Sequence, residues 1–314
     1  MLHSILRKIP ELAVVMLTAS LLTFFLTWIS PGDPALIYYE SRGIAPTAEM
    51  LEETRRRMNL DKPFIAQYAL WLKGILTLEP GESLRSGEPV AQMVRARFFM
   101  TFKLAMAAIL PMFACSFALG IASALRRGKP TAHLIRVFSF TGISIPEFWL
   151  GLMLILAFIV RLHWFKLTDP YAAKSVILPA LTLAIPLIGR YSHQIQALIG
   201  EELGRDYVIG ARARGCKEWR IILFHVMPGV LGGLITLFGL SCALLLGGTV
   251  IVEAIFSWPG LGTMALEAIT HRDYPVLQAY VLIMVCIYVG MNFLADVAAE
   301  LLDPRLRLTG GGEA

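Results

Sequence analysis

Five stretches of this chain, 12–31, 104–125, 137–160, 226–252 and 276–295, each run for at least twenty residues with no charge, or with the single charge Glu147. A helix that crosses the hydrocarbon core needs about 20 apolar residues. Water is absent there, so each backbone N–H and C=O must find its partner within the protein, and a helix does this within one segment. The runs therefore predict a polytopic, all-α membrane protein. Composition agrees: only 16% of residues are charged, against about 25% in soluble domains. The missing charge is missing from a surface that faces lipid.

A sixth span is weaker. Residues 176–189 are apolar but broken by Pro179 and Pro186, and the segment continues through Arg190, Tyr191 and Ser192 to Leu198. Alone it reads as either a crossing or a re-entrant segment. Cytoplasmic loops of membrane proteins carry the excess of Lys and Arg, and this rule favours a crossing. Arg7 and Lys8, then Arg126, Arg127, Lys129 and Arg136, then Arg190, Arg205, Arg212, Arg214, Lys217 and Arg220, and finally Arg305 and Arg307 all fall on one side. The short loops on the other side carry only Arg161, Lys166, Lys174 and Arg272. Six spans with both termini cytoplasmic follow. The first run is long for a signal peptide's apolar region, and no small-x-small cleavage site precedes Pro31-Gly32-Asp33-Pro34. It is read as a retained helix.

The expected organisation is a first transmembrane helix over 1–31, an external segment over 32–100, a five-helix core over 101–308 and a disordered tail over 309–314. Within the external segment, Thr47 is placed to cap a helix with acids early and Arg55, Arg56 and Arg57 late, as the helix dipole favours. Met50, Leu51, Thr54 and Met58 share one side, which packs on the membrane part or meets an external partner. Cys115, Cys216, Cys242 and Cys286 are scattered and read as small apolar filler.

The loop between spans four and five carries the most information. Asp206 is placed to cap a short helix in which Tyr207, Ala211 and Arg214 recur at i, i+4 and i+7, with Val208 and Gly215 close by. Small residues at Gly210, Ala211 and Ala213 leave a face without bulk, which permits close approach of another surface. Gly215 suits the position just past the helix, where positive φ is easiest for glycine. Two readings fit: a basic helix shaped for a groove on a soluble partner, and an interfacial helix whose arginines meet anionic lipid.

Asp206-Tyr207-Val208, followed by Ala211-Arg212-Ala213-Arg214-Gly215, resembles the cytoplasmic "EAA" loop of ABC importer permeases, with Gly210-Ala211-Arg212 in place of the Glu-Ala-Ala opening. The looser His225-x-x-Pro228 follows. Further matches run in order along nearly the whole chain. They include Leu60-Asp61-Lys62-Pro63, Ser144-Ile145-Pro146-x-Phe148-Trp149, Gly247-Gly248-Thr249-Val250-x-Val252-Glu253, Trp258-Pro259-Gly260-x-Gly262, Arg272-Asp273-Tyr274-Pro275-Val276 and Asp303-Pro304-Arg305. The chain resembles the B-type permease of dipeptide, oligopeptide and nickel importers, and its early pattern is most similar to the nickel and metallophore branch. The resemblance implies a type I ABC importer permease fold in a bacterial inner membrane. It implies a second, homologous permease as heterodimer partner, two ABC ATPase subunits that bind ATP and Mg, and an extracytoplasmic substrate-binding protein. It also implies that residues 206–215 form the coupling helix that docks on an ATPase. The cargo it implies is nickel or a metal chelate, with dipeptides or oligopeptides as the alternative.

The chain has no phosphate-loop motif, no G-x-S-x-G and no H-E-x-x-H, so an enzymatic role has no support. Its six histidines form no i, i+4 pair. Neither a metal site nor nucleic-acid binding is expected. Intramembrane ionisable residues mark proton or ion pathways. Only Glu147 lies near mid-span, with Glu253 at a span end, which is few for a secondary carrier; a non-transporting scaffold is the remaining alternative. Pro146, Glu147, Phe148 and Trp149 face either the pathway or a partner interface. Pro259, Gly260 and Gly262 read as a re-entrant gate or as a tight external turn, and Glu253 is grouped with them.

Overall fold

The computed structural model describes residues 2–166, 169–247 and 249–302. The expected tail, the Asp303-Pro304-Arg305 match, Arg307 and Gly248 lie outside them. Among the described residues the regular elements are helices, with one isolated antiparallel bridge between Glu82 and Pro89. The long helices are α1 (Leu2–Trp28), α5 (Val90–Leu125), α8 (Ile177–Glu202), α11 (Met227–Gly247) and α14 (Tyr274–Leu302). Shorter ones are α2 (Pro34–Glu40), α3 (Ala48–Arg57), α4 (Phe64–Leu76), α6 (Pro130–Ser144), α7 (Glu147–Leu154), α9 (Asp206–Ala213), α10 (Glu218–Ile221), α12 (Val250–Ile255) and α13 (Leu261–His271). Both α7 and α10 continue as π-helical turns, Ile155–Arg161 and Ile222–Val226.

Among the described residues, four helices are long and apolar enough to cross a membrane: Pro10–Trp28, Val90–Leu125, Glu218–Gly239 and Tyr274–Ala299. The expected third span is not one rod. Pro146 follows Ser144 and Ile145, and the helices on either side meet at 100°. Proline lacks the N–H that would continue the ladder, and it restricts the residue before it to extended backbone; Ile145 has ψ 123°. The weak fourth stretch lies within one continuous helix, α8, of 26 residues. Arg190 is its fourteenth residue. The count of cytoplasmic loop cations is corrected accordingly: Arg190 sits in the middle of a helix.

The chain forms two compact units. One comprises Lys103–Phe256 and the chain from Gly290; the other comprises Leu2–Phe102 and Ser257–Val289. In the first, α6 and α8 approach closely because small residues face each other. The Ser139 and Ser192 hydroxyls bond at 2.8 Å. A Cβ on Gly189 would stand 2.5 Å from the Ser139 carbonyl oxygen, and one on Gly142 3.3 Å from that of Ile185. On α5, a Cβ at Gly120 would meet the Ile195 side chain at 2.6 Å. Small residues that let backbones approach are the usual means of helix association in lipid.

In the second unit, Phe24 of α1 packs among Phe64, Tyr68 and Trp71 of α4, and Ser20 bonds Tyr68 at 2.8 Å. The Thr47 cap forms: its hydroxyl accepts from the Met50 N–H at 3.3 Å. Thr54 turns inward to the Tyr39 hydroxyl, and Arg55 clamps Asp33 with two bonds of 2.9 and 2.6 Å. Asp273, at the corner between α13 and α14, accepts from the Ser83 hydroxyl at 2.5 Å and the Leu84 N–H at 3.1 Å. Beside it, Val90, Leu261, Met264, Ala268, Val276 and Ala279 form a buried cluster.

Candidate functional site

Glu202 ends α8, and the chain turns through Leu203 and Gly204 into α9. Arg205, not Asp206, is the N-cap: its backbone is extended (φ −76°, ψ 149°) and no side chain caps the turn. Asp206 is one residue too late to accept from N2 or N3. As the first helical residue it acts through its charge on the positive end of the dipole.

The far end of α9 closes as the glycine predicts. Gly215 has φ 78°, its N–H donates to the Arg212 carbonyl at 2.9 Å, and the Cys216 N–H donates to that of Ala211 at 3.2 Å. This is the paired closure of a Schellman motif. Arg212 then bonds Glu218 at the start of α10 through Nε (2.8 Å) and Nη2 (3.1 Å). The Glu218 hydrogen bond holds the Arg212 guanidinium proton more firmly than usual, against a smaller effect of burial.

Two residues anchor the helix. Val208 and Ala211 are fully buried in a cluster with Ala124, Ile195, Ile199, Ile221, Val226, Val230 and Leu234. The three small residues therefore do not share one face. Ala211 points inward, while Ala213 is exposed and Gly210 is half-buried, with open space where a Cβ would stand. Ile209, 55% exposed, and Arg214 also point away from the chain. The presented surface is thus narrow, small and basic, with one apolar knob.

Beneath it lies a polar knot. The Glu202 carboxylate is buried, ion-paired to Arg205 at 2.9 Å, and accepts from the Tyr207 hydroxyl. Tyr207 also reaches the His225 carbonyl at 3.2 Å. A Cβ on Gly229 would collide with the Glu202 carboxylate, so glycine at that position makes room for the acid. Glu202 was not among the residues singled out from the sequence; its only signal there is the i, i+3 spacing to Arg205.

The other candidates are dispersed. Pro146, Phe148 and Trp149 are exposed at the α6–α7 bend, with Glu147 half-buried between them. Glu253 is fully buried in α12 and accepts from the Thr249 hydroxyl at 2.9 Å. In the second unit, Gly260 and Gly262 are buried at the start of α13. The Leu261 N–H there donates to Thr101 at 2.8 Å, and Trp258 Nε1 to the Met100 carbonyl at 3.0 Å. That irregular backbone is enclosed in protein, with Pro259 half-buried between Trp258 and Gly260. Among the described residues no three His, Cys, Asp or Glu side chains gather closely enough to hold a metal ion.

Residues 116–308 match the family model "Binding-protein-dependent transport system inner membrane component", and residues 1–105 match its N-terminal companion. The chain is 35% identical to the metal-staphylopine import system permease protein CntB of Staphylococcus aureus, over 98% of this chain and 99% of that protein. It is 33% identical to the probable D,D-dipeptide transport system permease protein DdpB of Escherichia coli, over 99% of each, and 34% identical to the di/tripeptide transport system permease protein DppB of Pseudomonas aeruginosa, over 98% and 99%. Its fold resembles that of the inward-facing MetNI methionine ABC transporter, with a TM-score of 0.56 at 16% identity, over 68% of this chain and 97% of that one. A chain whose described residues are nearly all helical, with several membrane-length apolar helices and matches along nearly its full length, is a B-type ABC importer permease, a member of the binding-protein-dependent transport system inner membrane component family.

Proposed function

We propose that this chain is the half-pathway of an ATP-driven importer in a bacterial inner membrane, with α9 as its docking helix for an ATPase subunit. It carries no catalysis of its own; ATP and Mg are bound by two partner ATPases. A second, homologous permease completes the pathway, and an extracytoplasmic binding protein delivers cargo. Six crossings with both termini inside put α9 on the ATPase side, with the bent α6–α7 pair and α8 as the third and fourth.

The observation that carries the docking reading is the anchoring of α9. Two buried residues and a closed C-terminal turn hold it rigidly, while its outer face is left small. A rigid helix transmits displacement; a helix that only lay in the lipid interface would turn its apolar side outward and would not need Val208 and Ala211 in the core. Transport then requires two packings of similar stability, biased differently by ATP and by loaded binding protein.

For cargo we favour nickel or another metal carried as a metallophore chelate, because a metal-staphylopine permease matches over nearly the whole of both chains. Peptide permeases match almost as well, so di- or oligopeptides are the second reading. The test is reconstitution of the chain with the subunits encoded beside it. ATP-dependent accumulation of radioactive nickel supplied as a chelate, but not of a labelled dipeptide, is expected. Accumulation of the dipeptide alone would reverse the cargo assignment, and transport without ATPases would overturn the class.

A further inference from the structure

The geometry points to Arg190 as a cargo-contacting residue that receives a carboxylate, with Glu147 beside it taking the cationic part of the same zwitterionic molecule. The inference rests on the permease reading above and assigns a contact within it.

Arg190 is the fourteenth of the 26 residues of α8. At 1.5 Å per residue it stands about 18 Å along the axis from Glu202, where the docking loop begins. The hydrocarbon core is about 30 Å thick, so with α8 as the fourth crossing this guanidinium lies at membrane depth. A charge there faces a bundle interior or a water-filled cavity rather than lipid. The residues just above it on α8 are buried; Arg190 is exposed from its own chain.

It does not stand alone. Arg190, His193, Ala197 and Glu201 are the exposed residues of this half of α8, at i, i+3, i+7 and i+11. They form one continuous face that leads from mid-helix to the docking loop. That face is polar at three of its four positions, where a lipid-facing stripe would be apolar. The His193 ring packs at 5.4 Å from Phe140 of α6, which fixes one edge of the track.

Glu147 begins α7 at the 100° bend, and both sides of that bend lie against α8: a Cβ on Gly189, beside Arg190, would stand 3.4 Å from the Ile143 backbone nitrogen, and one on Gly151 3.4 Å from Thr182. Neither forms a hydrogen bond or ion pair with another group among the described residues. Two opposite charges on packed helices, close but not joined, leave each half-compensated. A molecule carrying both a carboxylate and an ammonium group fits between them: the planar guanidinium donates two parallel hydrogen bonds to the carboxylate, and the Glu147 carboxylate accepts from the ammonium. Peptides carry both groups free, and an amino-acid-derived chelate presents whichever carboxylate and amine its metal leaves uncoordinated, so the site serves either cargo reading.

The test uses the complete importer, purified with its partner permease and ATPases, with Cys115, Cys216, Cys242 and Cys286 replaced by serine and Ala197→Cys introduced one turn below His193. Labelling by an anionic sulfonate and a cationic trimethylammonium methanethiosulfonate is measured with and without ATP and normalised to a free thiol. The anionic reagent is expected to react at least threefold faster, and Arg190→Gln to bring the two to parity. In uptake assays Arg190→Gln should lower transport at least tenfold while the subunits still co-purify, with Arg190→Lys intermediate. No labelling of Ala197→Cys in either nucleotide state, or labelling without charge preference, would overturn the assignment while leaving the permease reading intact. Loss of ATPase co-purification by the unmutated chain would overturn both.

Discussion

The Tyr207 hydroxyl donates to the buried carboxylate of Glu202 and so ties the first turn of α9 to the last turn of α8. The same hydroxyl touches the His225 carbonyl in the π-helical turn below α11. One side chain thus joins α9 to both helices that flank it.

Tyr207→Phe removes this tie without changing the ring. The Glu202 carboxylate loses a donor at a buried site, and such a loss costs about 1–3 kcal/mol. The expected result is a complex that still assembles but transports fewer cargo molecules per ATP hydrolysed. A transport-to-hydrolysis ratio equal to that of the parent protein would show that α9 does not need the tie to transmit motion.

Gly210 offers a cleaner probe of docking than Gly215. At Gly215 a side chain would strain a residue with φ 78°, so failure there has two explanations. At Gly210 a Cβ meets open space, and Gly→Ala in a helix is favourable by roughly 0.5–1 kcal/mol. Gly210→Ala should leave the fold intact and uptake near normal, whereas Gly210→Glu should sharply reduce ATPase co-purification. Full co-purification with Gly210→Glu would move the docking surface elsewhere on the loop.

Gly189→Leu should separate α6 from α8. Even its Cβ would meet the Ser139 carbonyl at 2.5 Å, and overpacking of this kind costs about 1–3 kcal/mol or more. A lower thermal midpoint in detergent and a weaker Ser139–Ser192 contact, read by disulfide trapping of a Ser139→Cys, Ser192→Cys pair, are expected. An unchanged midpoint would mean the two helices have slack that the distances do not suggest.

Asp273→Ala should loosen the turn that holds Ser83 and Leu84. Two donors lose their acceptor at once in a buried site, with each unsatisfied group costing about 1–3 kcal/mol. Limited proteolysis should then cut within residues 77–90 several-fold faster. Asp273→Asn keeps one oxygen acceptor and should fall between.

Legibility from the sequence divides along a physical line. The Thr47 cap and the Gly215 closure were readable because each is settled within four or five residues. Asp206 misled as a cap because the choice between it and Arg205 turns on a single residue of backbone phase, which the polar run does not encode. Arg190 counts among the cytoplasmic cations in a linear reading because hydropathy falls at a charge, although the segment runs on to Leu198. The helix continues because Gly189 and Ser192 pack against Ser139 on α6, a contact invisible in a linear reading. The 137–160 run reads as one span although Pro146 is a helix breaker, and the 100° bend depends on what α7 packs against: a Cβ on Gly151 would stand 3.4 Å from Thr182 of α8. Arg212 and Glu218 are six residues apart and pair only because the Gly215 turn reverses the chain between them.

The π-helical turn Ile222–Val226 fits one more residue into its length than an α-helical ladder would. Each residue of an α-helix turns the side-chain direction by about 100°. Residues on the two sides of this turn are therefore out of phase by about that angle, and deleting one residue within 222–226 would rewind it. The α10 end, with Glu218 and Trp219, would then point a quarter-turn away from where α11 now holds it. A single peptide unit, contributing no side chain to the proposed docking surface, acts as the phase setting that decides which side of this loop faces outward.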